Sequence, residues 1–457
     1  MIIRRMLIAN RGEIAVRIIR TCRRLGIETV LSVSDADTRS LPARLADATV
    51  RIVPHASRVP PPAASYLDVD AVVSAAVAAG VDAVHPGYGF LAENPELALA
   101  CTKAGIVFVG PTAEQLAAVG DKLAARAHAV AAGLPVVPGA EIGDAGVARP
   151  LAGEIGYPVL VKAVGGGGGR GMKPVHDPDR LTATVDLAMS EARAAFGDPR
   201  VYLERFVASG RHVEVQLLGD GQSIIHLGTR DCSVQRRYQK LVEEAPAPAL
   251  DDALRADMHR AAVAFGRRLG YRGLGTVEFL VDSARARFYF LEMNARIQVE
   301  HPVTEEICGL DLVAEQIAVA EGHPLRLAQA DVVLSGHAIE CRINAEDWRH
   351  NFRPHPGTVT DAHWPAGPGI RVDTHLQAGA DVPPFYDSLL AKLIVHAQTR
   401  DAALERLRGA LARCRIEGVK TTVDMHAALA ADPGFAAGGV DTTWFAGFVA
   451  RTGAGHG

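Results

Sequence analysis

The sequence predicts an α/β protein at its N-terminal end that continues as α+β, with a parallel sheet first and antiparallel strands after it. Three observations predict this. Residues 5–33 run strand, amphipathic helix, strand, a βαβ opening that calls for parallel pairing. Five consecutive glycines at 165–169 sit between two β-rich segments, in the place of a hairpin connection. From Arg211 the chain breaks into alternating segments joined by short turns, the pattern of antiparallel strands. With 457 residues the chain has room for two to four domains.

RMLIA (5–9) reads as a short buried strand and Asn10–Glu13 as a turn. Residues 13–25 carry Ile14, Ile18 and Leu25 at helical spacing, Gly26 supplies a stop, and ETVLSV (28–33) is the second strand. NRGE is not G-x-G-x-x-G, so the dinucleotide fingerprint is absent. A Pro/Ala-rich loop (54–64), helix 68–79, strand 81–84, the turn HPGYGFLAENP (85–95), helix 95–104 and strand 106–109 follow. Tyr88 in that turn serves either turn packing or stacking on a flat ligand. Gly120-Asp121-Lys122 opens a helix ending at Gly133. Residues 156–175 then read strand, glycine loop, strand, with Lys162 just before the glycines. No helix follows the glycines, so neither a P-loop nor a Rossmann turn fits; a hinged hairpin that closes over phosphates does.

VYLERF (201–206) is a strand able to run past an adenine ring, and Arg211–Pro248 forms antiparallel strands about Gly219-Asp220-Gly221. Arg236, Arg237 and Lys240 make a basic cluster too small to argue for nucleic acid. Helix 251–269 leads to the strand TVEFLVD (276–282), whose Glu278 pairs by hairpin logic with the strand carrying Glu292. GHAIECRINAED (336–347) is a strand carrying Arg342; short strands, helix 400–413 and a loose tail from Thr452 complete the chain.

A hydrophobic share of 48% and a charged share of 22% are those of an ordinary globular protein. Net charge −4 gives no general affinity for nucleic acid or membrane, so a polyphosphate must be held by local cations. No apolar run suits a signal peptide or a membrane span. The six cysteines lie far apart and read as free, mostly buried thiols of a reducing cytoplasm.

The richest stretch is RFYFLEMNARIQVEHPVTEE (287–306). Glu292, Asn294, Arg296, Gln298 and Glu300 alternate with Leu291, Met293, Ala295, Ile297 and Val299. The polar series starts with oxygens suited to a hard cation such as Mg²⁺ and continues with groups suited to holding and deprotonating an oxyanion. A straight strand would separate Glu292 from Glu300 by about 26 Å, too far for one reaction centre. The strand is therefore expected to end near Asn294, with 296–300 curling back. Glu278 and Glu292, on neighbouring strands, are expected to share a divalent cation.

ANRGEIA, HPGYGFLAEN, KAVGGGGGRGM, RDCSVQRR, EEAPAP, EMNARIQVEHPVTE and ECRINAED together resemble the biotin carboxylases, members of the ATP-grasp superfamily, from about residue 3 to 447. The resemblance implies a Rossmann-like N-terminal α/β domain (1–115), an ATP-grasp region (116–330) with a mobile lid at about 137–206, a C-terminal antiparallel β-rich domain (331–450) and a tail (451–457). It implies carboxylation of biotin by ATP and bicarbonate through carboxyphosphate, with Mg²⁺ or Mn²⁺, as the first half-reaction of an acyl-CoA carboxylase such as that of fatty acid biosynthesis. By resemblance Lys122, Lys162 and the backbone of Gly168 and Gly169 hold the ATP phosphates, with Gln235 and Tyr238 nearby. Glu204, Arg205 and Val207 fall at the adenine strand and His212 near the ribose. Glu278, Glu292 and Asn294 fall at the metal, and Lys240, Arg296, Gln298 and Val299 at bicarbonate. Glu300 is the general base, Arg342 stabilises biotin's enolate-like oxygen, and Tyr88 faces the biotin ring. Burial is expected to raise the pKa of Glu300 into a useful range.

Tyr238 stands where the family pattern RRHQK has histidine, and a phenol brings no positive charge. Ala295 replaces a threonine and, lying on the opposite face, should matter little. The one Met-Lys pair, Met172-Lys173, lies in the glycine hairpin, so biotin is expected on a separate biotin carboxyl carrier protein beside a carboxyltransferase subunit, with a homodimer by family habit. Two other readings stay open: another ATP-grasp ligase joining a carboxylate to an amine, and a nucleotide-binding protein with reduced turnover because of Tyr238.

Overall fold

The computed structural model describes residues 2–54, 62–164 and 172–453. Strands β1 (Arg5–Ile8), β2 (Glu28–Val33), β3 (Ala48–Arg51), β4 (Ala83–His85) and β5 (Val107–Phe108) form a parallel sheet in the order β3-β2-β1-β4-β5. The order reverses between β1 and β4, and at such a switch point the loops leaving adjacent strands diverge and open a crevice. The two loops that leave there are Asn10–Glu13 and His85–Pro95. Asn10 ties them together, its Nδ2 donating to the carbonyls of Pro86 (2.8 Å) and Tyr88 (2.7 Å). Gly87 sits at φ +63°, and a Cβ there would lie 2.9 Å from Asn10 Nδ2, so glycine is required for this approach. Helix Gly12–Leu25 buries Ile14, Ile18, Ile19 and Cys22 and stops at left-handed Gly26, as its spacing predicts.

A second sheet, β6 (Gly139–Ile142), β7 (Val159–Ala163), β8 (Met172–Val175) and β9 (Val201–Arg205), has the order β6-β9-β7-β8 and is antiparallel. Helices Ala145–Ile155 and Leu181–Phe196 pack on it over a core of its own that includes Ile142, Val161, Val185 and Leu203. The glycine run between β7 and β8, with Gly168 and Gly169, lies outside the described residues, as do 55–61 of the Pro/Ala-rich loop and 454–457 of the tail.

The largest sheet has eight antiparallel strands. Its order is β14 (Arg287–Asn294), β13 (Arg272–Asp282), β10 (Gly210–Asp220), β11 (Ile224–Arg236), β12 (Gln239–Ala245), β15 (His337–Asn344), then strands Leu389–Ala397 and Ile370–Thr374. It runs without a break across residue 330, the expected boundary between the ATP-grasp region and the C-terminal domain. One part packs with helix Asp252–Arg268 around Met258, Phe265 and Phe279. The other packs with helix Arg400–Leu411 around Leu393, Leu404 and Phe445. The β11–β12 hairpin turns on Arg237 (φ +48°) and Tyr238 (φ +67°), the mirror-image geometry that matches the right-handed twist of paired strands. β14 ends at Asn294; residues 295–300 turn back and helix His301–Cys308 starts directly after Glu300. That is the bend the 26 Å argument requires.

Candidate active site

Three neighbouring strands put three carboxylates in one row. Glu214 on β10 pairs with Glu278 on β13, and Glu278 pairs with Glu292 on β14. The β13–β14 register shifts just after the Glu278–Glu292 pair, a bulge of the kind that re-aims side chains beside functional sites. Lys240 reaches in from β12, its Nζ 2.6 Å from Glu214, 2.9 Å from Glu278 and 2.5 Å from Glu300. Burial alone would lower the Lys240 pKa, but the acidic groups around it hold the ammonium well above its usual range. It is therefore no member of a surface patch with Arg236, which instead stacks over Phe352 and bonds Asn351. Glu278 also accepts from Asn294 Nδ2 (2.9 Å) and lies 3.0 Å from His212 Nε2. Burial works to raise the Glu278 carboxyl, yet Lys240 and His212 pull it far below the ordinary carboxylate range. Glu292 moves the other way: burial, then repulsion by Glu278, raises it. A divalent cation between the two would relieve that repulsion, so the two carboxylates suit Mg²⁺ or Mn²⁺, while the neutral Oδ1 of Asn294 would have to give up its Arg296 donor to join them.

The turned-back loop closes the row. Arg296 donates through Nε to Glu93 (2.9 Å), and through its terminal nitrogens to Asn294 Oδ1 (2.8 Å), Gln298 Oε1 (3.3 Å) and the Ile297 carbonyl (3.2 Å). Gln298 lies 3.5 Å from Glu278, and Val299 follows it. Glu300 is fully buried, with one oxygen on Lys240 and the other 2.9 Å from an Arg342 terminal nitrogen. Arg342 in turn donates from Nε to Glu243 at 2.6 Å. The expected upward pKa shift of Glu300 is not what this geometry produces. Burial does push the carboxyl up, but Lys240, Arg342 and Arg230 outweigh it and hold it well below the ordinary value. The positive end of helix His301–Cys308 acts in the same sense. The groups pushed up stand one layer back: Glu243, raised by burial to about 7 despite Arg342, and Glu340, raised well above the usual range.

The sequence did not single out Glu214 or Arg230. Arg230 is wholly buried and bonds Glu214 (2.5 Å), Gln216 (2.7 Å), Thr304 (2.8 Å) and Thr276 (3.1 Å), anchoring the row from behind. β11 is buried on both faces, so no alternation marked Arg230, and its burial shows only once the strand sits inside the sheet.

The remaining residues lie around this row. Lys122 opens helix Lys122–Ala131; burial lowers its pKa, and Glu292, Lys162, Glu204 and Glu278 are the charges it feels. Lys162 is paired with Glu204 across β7 and β9. Arg205 turns its guanidinium to the Ile155 carbonyl (2.9 Å), so only its backbone is left to face a ligand, and Val207 lies just beyond β9. His212 stands against Glu278, and burial, which would lower its pKa, is outweighed by that carboxylate. Gln235 is buried, with Nε2 3.5 Å from the Cys232 carbonyl. Tyr238 is half exposed at the hairpin turn. Tyr88 is held by the Glu13 carboxylate, and burial followed by that negative charge raises its hydroxyl well above the usual range.

The chain matches three family models in succession: the biotin carboxylase N-terminal domain over residues 2–116, the carbamoyl-phosphate synthase L chain ATP-binding domain over 121–328, and the biotin carboxylase C-terminal domain over 340–447. The chain belongs to the biotin carboxylases. It is 50% identical to a biotin carboxylase of Pseudomonas aeruginosa over 441 residues, 96% of each chain. A biotin carboxylase–β-γ-ATP complex from Campylobacter jejuni has the same fold, at TM-score 0.93 and 43% identity over 97% of this chain and 99% of that one. The biotin carboxylase domain of the Hydrogenobacter thermophilus 2-oxoglutarate carboxylase, a dimer with MgADP and bicarbonate, matches at TM-score 0.93 and 42% identity over 98% of each. The fold is thus that of an ATP-grasp biotin carboxylase, an ATP-dependent ligase, and the carboxylate–amine ligase reading is not favoured. Among the described residues no helix is long and apolar enough to cross a membrane.

Proposed function

We propose that this biotin carboxylase joins ATP, bicarbonate and biotin at the row Glu214–Glu278–Glu292 and its closing loop. One observation carries the reading: a single buried ammonium, Lys240, is shared between Glu278 of the cation pair and Glu300 of the loop. Glu278, Glu292 and Asn294 would hold Mg²⁺, which would supply charge neutralisation at the phosphates. Lys122 and Lys162 supply the fixed cations of the triphosphate site, with the Gly168–Gly169 backbone, Glu204, Arg205, Val207, His212, Gln235 and Tyr238 around the nucleotide.

Bicarbonate sits against Lys240, Arg296, Gln298 and Val299. A planar three-oxygen anion suits the fork of a guanidinium better than an ammonium. Bicarbonate there shares the Lys240 ammonium with Glu300. Glu300 acts as base through its position rather than a raised resting pKa. Glu300 takes the proton of bicarbonate as its oxygen attacks the γ-phosphorus and the bond to ADP breaks, giving carboxyphosphate; biotin's ureido nitrogen then takes the carboxyl group, and its N–H proton leaves with the departing phosphate. Arg342, already aimed at Glu300, stabilises the developing negative charge on the ureido oxygen, with Tyr88 beside the ring.

Biotin arrives on a biotin carboxyl carrier protein, the product passes to a carboxyltransferase that serves an acyl-CoA, and the chain works as a cytoplasmic homodimer. The test is phosphate release from ATP. The reading requires dependence on bicarbonate and stimulation by free biotin. Release indifferent to both, or ATP binding without release, contradicts it.

A further inference from the structure

Lys392 is fully buried, lies outside the substrate-facing row, and has no part in the chemistry described above. It stands on strand Leu389–Ala397 directly opposite Arg342 of β15, so the two side chains leave the sheet on the same face, side by side. Arg342 holds the Glu300 carboxylate. Lys392 holds the backbone just before it: its Nζ donates to the Val299 carbonyl at 2.9 Å. That carbonyl belongs to the peptide joining Val299 to Glu300, so the lysine fixes the peptide plane from which the Glu300 side chain leaves. The counter-charge is Glu13, whose Oε1 lies 3.1 Å from Nζ and also accepts from the Tyr88 hydroxyl, while its Oε2 is buried without a partner among the described residues. Glu13 leaves the first turn of helix Gly12–Leu25, at the switch point of the parallel sheet. Tyr88, Glu13, Lys392 and Val299 thus form one continuous line from the mouth of the site to the closing loop.

We infer that Lys392 and Glu13 are positioning residues, which hold the Val299–Glu300 peptide and so set the bicarbonate loop and its base relative to Tyr88. A fully buried lysine cannot leave the carbonyl without losing the one backbone acceptor it has among the described residues, which makes it a stiff prop. Deleting it should loosen the loop without touching the nucleotide residues. The inference rests on Glu300 as the base and on Val299 at bicarbonate.

The experiment compares Lys392→Met, Glu13→Gln and Glu300→Gln in the full chain, with KM for bicarbonate, KM for ATP and kcat of biotin-stimulated phosphate release. Lys392→Met is expected to raise KM for bicarbonate tenfold or more and to lower kcat, with KM for ATP within twofold. Combined with Glu300→Gln it should add little further loss in kcat, because the group it positions is gone. Glu13→Gln should move the same parameters in the same direction by less, and it decides the matter if Lys392→Met is not recovered folded. Equal changes in both KM values, or no change in a folded Lys392→Met, overturn the inference. Full activity of Glu300→Gln overturns the assignment of the base instead, and the bicarbonate KM of Lys392→Met still reads the loop.

Discussion

Lys240→Met probes the centre of the charge balance. The methionine fills similar volume and leaves Glu214, Glu278 and Glu300, at 2.6, 2.9 and 2.5 Å from the lost Nζ, as three buried carboxylates facing one gap. Arg230, His212 and Arg342 still serve one each. Removing one partner of a buried ion set costs about 3–5 kcal/mol, a large part of a total stability of about 5–15 kcal/mol. The sign with pH follows from the shifts. Glu278 and Glu300 are depressed in the folded chain from an ordinary 4.5, so their stabilisation is present above that value and is lost as pH falls through the folded values. The difference between variant and parent should therefore be largest from about pH 5 upward and shrink below 4.5. Urea denaturation at pH 7.5 and at pH 4 measures it. Bicarbonate-dependent ATP cleavage should fall about 10²–10³-fold, the usual cost of one lost donor to a developing oxyanion. A variant with an unchanged urea midpoint at pH 7.5 and an unchanged bicarbonate KM would refute the reasoning.

Glu340→Gln should cost little stability at pH 7.5, or add some, since burial, with Glu243 beside it, disfavours the charged carboxylate and neither oxygen has a hydrogen-bond partner among the described residues; thermal denaturation checks it. Arg296→Lys should keep ATP binding and lose most carboxylation, because an ammonium cannot reproduce bonds to Glu93, Asn294 and Gln298 together; nucleotide titration beside radiolabelled carboxybiotin formation separates the two. Tyr238→His, at a half-exposed turn, should leave the melting temperature unchanged and lower KM for ATP at pH 6.5 more than at pH 8, where the imidazole is neutral. Chelation of divalent metal should abolish phosphate release reversibly, and Glu292→Gln should raise the Mg²⁺ concentration that restores it.

Much of this site was legible in the sequence. The strict alternation of 292–300, set against the reach of a strand, required the chain to bend after Asn294, and the paired hairpin strands put Glu278 opposite Glu292. Helix Gly12–Leu25 announced itself by spacing and by Gly26. Helices Ala145–Ile155 and Leu181–Phe196 did not: both are alanine-rich, one contains Pro150, and their apolar face is defined only by the small sheet beneath. The resting charge state of Glu300 was misjudged for a similar reason. Burial can be guessed from a sequence, but the cations that overrule it come from β11, β12 and β15, 42 to 70 residues away. Spacing alone grouped Lys240 with Arg236 and Arg237 as a basic cluster; the hairpin turn at Arg237–Tyr238 instead sends Lys240 inward to Glu214, Glu278 and Glu300 and leaves Arg236 over Phe352.

The most direct test follows oxygen. With ¹⁸O-labelled bicarbonate, ATP and biotin, one labelled oxygen should appear in each inorganic phosphate released, because the oxygen that attacks the γ-phosphorus stays with phosphate when the carboxyl group moves to biotin. Phosphate free of label, with water as the source of its fourth oxygen, contradicts the account.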